Sequence, residues 1–336
     1  MHTLVTGGSG YIGSHTVVEL IGAGHDVTIV DDLSNSRASV VDRIERITGY
    51  RPAFVEADVG DPTALDRVLG TRRIEAVLHF AGLKAVGESV ARPLRYYAVN
   101  VGGSTNLFDR CRDHGIRAIV FSSSATVYGD PDVVPVTEST PLRPATNPYG
   151  STKAMIERIL SDLHTSDPSW QIAVLRYFNP VGAHPSGLIG EDPRGEPNNL
   201  MPYIAQVAAE RRPFLSVFGS DYPTRDGTGI RDYIHVVDLA RAHVAALDYI
   251  VEHGGWRAWN LGTGAGTTVL ELVDAFQRAA NVEIPRRIVA RRPGDVAETW
   301  ADPTRANQEL GWKATLTIDD MCADSWRWQQ FARSLE

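Results

Sequence analysis

Apolar runs of three or four residues recur through the first half of the chain, each bounded by turn residues. They are Thr3-Leu4-Val5-Thr6, Val27-Thr28-Ile29-Val30, Ala53-Phe54-Val55, Ala76-Val77-Leu78, Ile119-Val120-Phe121 and Ala173-Val174-Leu175. Their hydrophobicity is continuous rather than alternating, as in strands covered on both faces. The spacing leaves room for the crossover helices that parallel strands require. The pattern predicts a doubly wound α/β fold, with a parallel-sheet Rossmann domain over residues 1–180. Beyond about residue 180 the rhythm changes, and stretches rich in Pro and Gly occupy 179–199. A helix is expected over 199–210, a strand over 215–218 and a helix over 236–252. These elements predict a smaller mixed α/β lobe over 181–336, with the chain free to cross between lobes.

A length of 336 residues exceeds what one hydrophobic core usually fills, in keeping with two lobes. Hydrophobic residues make up 43% and charged ones 22%, a globular rather than a disordered composition. The net charge of −8 argues against nucleic acid as a partner, because phosphate backbones are bound by basic faces. The chain opens straight into a strand pattern without an export signal, and no apolar run approaches the ~20 residues of a membrane span. With only Cys111 and Cys322, neither in a redox motif, a reducing cytoplasm is expected.

Chemistry enters at the strand ends. Gly7, Gly10 and Gly13 directly follow the first strand and open an apolar helix. Backbone N–H groups of such a turn can approach a pyrophosphate, and the helix N-terminus adds partial positive charge. Asp31 ends the second strand, where a carboxylate accepts from ribose hydroxyls and repels a 2′-phosphate, so NAD is expected over NADP. Asp58 is expected at the end of the third strand and Phe80-Ala81-Gly82 at the end of the fourth. Ser122-Ser123-Ser124 is expected to follow the fifth strand, and Tyr149 and Lys153 share a helical face four residues apart. An ammonium beside a phenol favours the phenolate and an oxidised nicotinamide would add a second positive charge, which together predict Tyr149 as a usable base near neutrality and Ser124 as the holder of the reacting hydroxyl. Three lysines and 11 tyrosines produce about 0.1 such pairs by chance, so coincidence is a poor account.

With the glycine loop, Ser124, Tyr149 and Lys153 in this order, the chain resembles the extended short-chain dehydrogenases/reductases. The blocks 5–15, 79–90, 121–129, 175–187, 198–206 and 226–235 are similar to UDP-glucose 4-epimerases, and together they span almost the whole chain. The resemblance implies C4 inversion of UDP-glucose and UDP-galactose through a transient 4-keto sugar, with tightly bound NAD and no metal. It implies cofactor contacts from Tyr11, Ile12, Asp31, Asn35, Ser36, Asp58, Val59, Phe80, Ala81, Gly82, Lys84, Ser122 and Phe178, besides the glycine loop, Tyr149 and Lys153. For the UDP-hexose it implies Asn179, Asn199, Leu200, Arg231, Arg292, Asp295 and Thr299, besides Ser124 and Tyr149. The two arginines offer planar forks for phosphate oxygens. It also implies a cytoplasmic homodimer joined through two helices per subunit, around 93–114 and 149–164.

Two departures from the family pattern stand out. Val99-Asn100 replaces the usual Asn-Asn, which implies one polar contact fewer at the cofactor. Thr299 stands where bacterial relatives often carry Tyr, which implies space around the hexose for UDP-N-acetylhexosamines. A sugar-nucleotide 4,6-dehydratase would need an acid/base pair after the serine, but the chain reads Ser124-Ala125-Thr126-Val127. A uronate epimerase or decarboxylase stays open at this point. A non-catalytic NAD(H) sensor is disfavoured by the intact Ser124, Tyr149 and Lys153 set.

Overall fold

The computed structural model describes residues 1–193, 195, 197, 199–292 and 295–334. The apolar runs become β1 (His2–Thr6), β2 (Asp26–Asp31), β3 (Ala53–Glu56), β4 (Ala76–His79), β5 (Ala118–Ser124) and β6 (Gln171–Tyr177), all paired in parallel. Between them lie α1 (Tyr11–Gly22), α2 (Ser39–Thr48), α3 (Pro62–Thr71), α4 (Val86–Ala91), α5 (Pro93–Tyr96), α6 (Gly103–Asp113) and, before β6, α7 (Pro148–Ser166). A π-helical turn, Tyr97–Gly102, joins α5 to α6.

Successive strand residues point to opposite faces, and both faces are covered. Leu4, Val30, Val77, Ile119 and Val174 enter one core with Leu65 and Val68 of α3, Leu107 and Phe108 of α6, and Ile156 and Leu160 of α7. Val5, Ile29, Leu78, Val120 and Ala173 enter the other, with Val17 and Leu20 of α1 and Val41 and Ile44 of α2. This two-sided burial explains why the sequence shows continuous rather than alternating apolar runs.

Beyond residue 177 the chain forms β7 (Asn179–Val181), α8 (Leu200–Ala208), β8 (Leu215–Phe218), β9 (Ile230–Arg231), β10 (Tyr233–His235), α9 (Val236–His253) and β11 (Trp256–Leu261). It ends with β12 (Thr267–Thr268), α10 (Val269–Ala280), β13 (Arg286–Val289), β14 (Glu298–Thr299), α11 (Thr304–Glu309) and α12 (Ile318–Arg333). The crossing between lobes is substantial. β11 pairs in parallel with β6 as the seventh strand, and α9 packs on α1 with Leu239, Ala246 and Ile250 in the first sheet's core. Residue 180 therefore marks where strand–helix alternation stops, not where the first sheet is complete. The rest of the second half buries its own core around Ile204, Val217, Leu272, Phe276 and Met321.

The sheet order is β11-β6-β5-β4-β1-β2-β3. The chain runs outward from β1 to β3 and then restarts on the other side of β1 with β4, leaving a crevice at the carboxyl ends of β1 and β4. Ligands of doubly wound sheets bind at such a switch point. Among the described residues no helix is long and apolar enough to cross a membrane. Cys111 and Cys322 are free and buried, and burial pushes both thiols up to about 12, as for inert core residues.

Candidate active site

At the carboxyl end of β1, Gly7 adopts φ +70°, and a Cβ on Gly13 would lie 2.3 Å from the Gly7 carbonyl oxygen, so both positions require glycine. The turn delivers the chain into α1, whose first turn holds no carboxylate and whose N-cap, Gly10, makes no side-chain hydrogen bond. These N–H groups and the buried, unpartnered Oγ of Ser9 suit a pyrophosphate or ribose. Asp31 holds the turn in place. Its Oδ2 accepts from the Ser9 N–H at 3.0 Å, and its Oδ1 accepts from the Leu33 N–H at 3.0 Å and the Ser36 hydroxyl at 2.7 Å. A carboxylate has about four acceptor positions, so one remains for a ribose hydroxyl. Ser9, Gly10, Tyr11, Asn35 and Ser36 line one cleft.

The other cofactor candidates lie in the first turn of α1 and just beyond the carboxyl ends of β3, β4 and β6. Val59 is buried in the sheet core, and exposed Asp58 lies two residues beyond β3 rather than at its end. Ile12 and Phe80 pack against the α1 side of the sheet, Phe80 with its ring 4.8 Å from His243, while Ala81 packs on the opposite side. Gly82 has φ +154°. Phe178 is buried with Val127, Tyr128, Val136 and Ala301. The Tyr11 hydroxyl donates to the Gly182 carbonyl at 2.7 Å, tying α1 to the second half of the chain.

Ser122-Ser123-Ser124 proves to be the last three residues of β5 rather than a segment after it. Ser124 accepts from the Thr126 N–H at 3.3 Å and caps the 3-10 turn Ala125–Tyr128. Asn147 caps α7 by accepting from the Gly150 N–H at 2.9 Å, with Pro148 at the first helical position, so Tyr149 sits in the first turn. The Ser124 hydroxyl acts on Tyr149 in the direction that favours the phenolate. Lys153 is buried, donates to the Ser122 carbonyl at 2.6 Å, and lies 5.8 Å from the Tyr149 ring and 4.9 Å from the Phe121 ring.

The expected lowering of the Tyr149 pKa is not what the protein's own groups produce. Burial pushes the phenol up to about 12, opposed by the Ser124 hydroxyl. Burial also lowers Lys153 to about 8, opposed by the Glu157 carboxylate. Spacing brings the two side chains together as expected, but desolvation disfavours charge on either one. A phenolate here needs a further positive charge.

On the second half of the chain, β9 pairs with β14 so that Thr299 lies opposite Arg231, and the Arg231 guanidinium is 4.0 Å from Asp295. Arg292 stacks on the Phe218 ring at 4.5 Å. Asn179 begins β7, Asn199 occupies the N-cap position of α8 without a side-chain capping bond, and Leu200 is the helix's first residue, half-buried against the second core. The resemblance block over 198–206 begins at Asn198, which lies outside the described residues.

Two residues that spacing alone did not mark, Glu191 and Asn100, hold these groups together, and a third, Thr126, stands beside them. Glu191 Oε1 accepts from Lys84 Nζ and from Asn199 Nδ2, both at 2.8 Å, joining a cofactor candidate to a substrate candidate. Asn100 is buried, accepts from the Leu83 N–H at 2.7 Å and donates to Thr152 at 3.1 Å, whereas Val99 is exposed. The departure at Val99 therefore spares the buried polar contacts, which belong to its neighbour. The buried hydroxyl of Thr126 has no partner and stands two residues from Ser124. Its signal was the Ser-Ala-Thr run itself.

The comparisons with known proteins agree with this geometry. The family model described as GDP-mannose 4,6 dehydratase matches residues 4–325. The UDP-glucose 4-epimerase of Bacillus subtilis is 59% identical over 329 residues, 98% of this chain and 97% of its own. In structure, the chain is similar to the UDP-glucose-4-epimerase of Stenotrophomonas maltophila with bound NAD and formylated UDP-arabinopyranose, at TM-score 0.98 and 54% identity over 100% of both chains. The enzyme of Bifidobacterium longum in complex with NAD+ and UDP follows at TM-score 0.96 and 51% identity over 99% of each. The broad model takes its description from a dehydratase, but Ala125 and Thr126 stand where elimination would need an acid/base pair, and the full-length relatives invert rather than eliminate. The chain belongs to the UDP-glucose 4-epimerases.

Proposed function

We propose that the chain interconverts UDP-glucose and UDP-galactose by C4 oxidation and re-reduction, with Tyr149 as the proton-transfer residue. The observation that carries this reading is the convergence of Ser124, Tyr149 and Lys153 beside the glycine loop at the β1/β4 switch point. When bound, NAD supplies the acceptor and donor of the C4 hydride and, in its oxidised form, a fixed positive charge beside Tyr149. Asp31, the α1 N-terminus, Lys84 and the Phe80–Gly82 strand end would hold the cofactor. The Tyr149 phenolate takes the proton of the sugar 4-hydroxyl and returns it once the keto sugar has turned over, so protons balance over a cycle. Ser124 donates to the same oxygen, and Lys153 keeps positive charge within reach of the phenol.

Arg231 and Arg292 suit the diphosphate as forked donors, and Asp295 suits ribose hydroxyls. Residues 1–180, completed by α9 and β11, form the cofactor side, and most of 181–336 forms the sugar-nucleotide side. Thr299, opposite Arg231, leaves room that a Tyr would fill, which supports acceptance of UDP-N-acetylhexosamines. A homodimer is supported by apolar side chains left bare on the expected helices: Leu94 is 82% exposed and Met155 46%, with Val90 of adjacent α4 at 61%. The two buried free thiols fit a cytoplasmic enzyme.

The test is incubation with UDP-galactose without added cofactor, with dTDP-glucose and UDP-galacturonate as parallel substrates. UDP-glucose must form, and neither other substrate may turn over faster. Tyr149→Phe is expected to lose at least about 10²-fold in kcat while retaining NAD. Turnover equal to the native enzyme's would assign the proton to another group.

A further inference from the structure

Next to the Tyr149–Lys153 pair, on the face of β5 that packs against α7, lies a buried polar network that the reaction as described does not use. The Glu157 and Arg176 side chains are 4% and 5% exposed. Arg176 Nε donates to Glu157 Oε1 at 3.0 Å and Nη2 to Oε2 at 2.6 Å, while Nη1 donates to the Tyr128 hydroxyl at 2.9 Å. Tyr128 donates in turn to Asn260 Oδ1 at 2.7 Å. The Ser123 hydroxyl donates to Glu157 Oε1 at 2.5 Å.

The register gives the network its meaning. Side chains alternate across a strand, so Ser122 and Ser124 face one way and Ser123 faces the other, into α7. Glu157 is one helical turn beyond Lys153 on that helix. One carboxylate thus grips the middle residue of a strand end whose neighbours supply the carbonyl that holds Lys153 and the hydroxyl that acts on Tyr149. Arg176, on β6, holds the carboxylate from the other side, and Tyr128 ends the 3-10 turn that Ser124 caps. An apolar pair of similar volume would serve stability as well or better, since burying two charges is costly.

We propose that Glu157, clamped by Arg176 and Ser123, is a positioning residue for epimerisation: it fixes the Ser122–Ser124 strand end, whose Ser122 carbonyl holds Lys153, against the helix that carries Tyr149 and Lys153. This rests on the epimerase reading above. The titratable groups around Lys153 are Tyr149 and Glu157 on α7, His79 on β4, Arg176 and Tyr177 on β6, and Tyr128. His79 is held near 3, and so neutral, by burial and the Lys153 charge. Glu157 is the carboxylate of this set and acts on Lys153 in the direction that retains the proton.

Three variants test the assignment. Ser123→Ala removes one hydrogen bond and touches neither substrate nor cofactor. Glu157→Gln removes the charge. Glu157→Met/Arg176→Leu replaces the pair by apolar side chains and guards against a variant that fails only because Arg176 is stranded. Expected are a kcat about 3- to 10-fold lower in Ser123→Ala and at least about 30-fold lower in the other two, with KM for UDP-galactose within about twofold and bound NAD retained. In both charge-removing variants the alkaline limb of the kcat profile moves to lower pH, because Lys153 loses its proton more readily. A lowered Tm with kcat within about threefold of native and an unmoved alkaline limb overturns the proposal. A native protein without turnover would sink the epimerase reading, whereas native turnover with unaffected variants sinks only this one.

Discussion

Replacing Lys153 with methionine is expected to abolish efficient turnover and, near neutral pH, to stabilise the fold. Burial lowers the Lys153 pKa from its ordinary 10.5 to about 8. At pH 7 the ammonium is therefore carried by both folded and unfolded chains, and the shift of roughly 2.5 units corresponds to about 3 kcal/mol against the folded state. As pH rises through 8 the folded protein releases this proton while the unfolded chain keeps it to 10.5. Native stability then climbs with pH across that window, and by pH 9.5 the cost has fallen to about 1 kcal/mol.

Methionine fills much the same volume without the charge but forfeits the 2.6 Å bond to the Ser122 carbonyl, a loss of about 1 kcal/mol. The variant should then be more stable than the native protein by about 2 kcal/mol at pH 7 and close to equal at pH 9.5. The assay is urea unfolding of both forms with NAD in excess at several pH values between 7 and 9.5. Only the change in the difference matters, so a constant offset from altered cofactor affinity cancels. A difference that stays constant within about 0.5 kcal/mol over this range would refute the claim that residue 153 carries a desolvated charge.

Asp31→Ala removes one hydrogen bond to the glycine turn at Ser9 and two to Leu33 and Ser36 after β2, together with the ribose acceptor; NAD affinity is expected to fall about 10- to 100-fold by equilibrium titration, and an unchanged dissociation constant removes Asp31 from the site. Thr299→Tyr is expected to depress turnover of UDP-N-acetylglucosamine at least about 10-fold more than that of UDP-glucose; a native enzyme inactive on UDP-N-acetylglucosamine ends the idea. Leu94→Asp, at an 82% exposed apolar position, is expected to shift the protein to monomers in sedimentation velocity, and a native protein that is already monomeric contradicts the proposed dimer.

Much of the first sheet was legible because its strands are buried on both faces, and continuous apolar runs such as Ile119-Val120-Phe121 carry that signal locally. The return of the chain was not. Trp256–Leu261 joins β6 some 80 residues after it in sequence, and which edge a strand completes depends on α9 covering Leu175 and Leu261 rather than on anything within the strand. At the site, helical spacing was enough to pair Tyr149 with Lys153, but not to tell their protonation, because desolvation depends on the three-dimensional surroundings. Arg231, Asp295 and Thr299 could be gathered only through the family resemblance; in the structure a two-residue ladder between β9 and β14 brings them together, too short to leave a pattern. Glu191 stayed hidden for a similar reason, since its partners Lys84 and Asn199 lie 107 and 8 residues away.

The opposite perturbations at Tyr149 and Lys153 bear on how one phenol can both take and return a proton. A Tyr149 held permanently low by fixed charges would be ionised but only weakly basic towards the sugar hydroxyl, whereas one held permanently high would stay protonated and unavailable as a base. Here the protein alone holds it near 12, in the protonated form, and leaves Lys153 near 8, charged at neutral pH but without strong pull on the phenol. Positive charge placed against the ring lowers the phenol, and removal of that charge raises it again. On the proposed mechanism Tyr149 would be a base while the neighbouring charge is present and would hold its proton until the return step once that charge is gone, so its proton affinity would follow the redox half of the cycle. A residue tuned in advance by fixed charges could not follow it, which gives a physical reason for burying this phenol and for keeping the carboxylate of Glu157 one turn further along the helix, beside the lysine rather than beside the tyrosine.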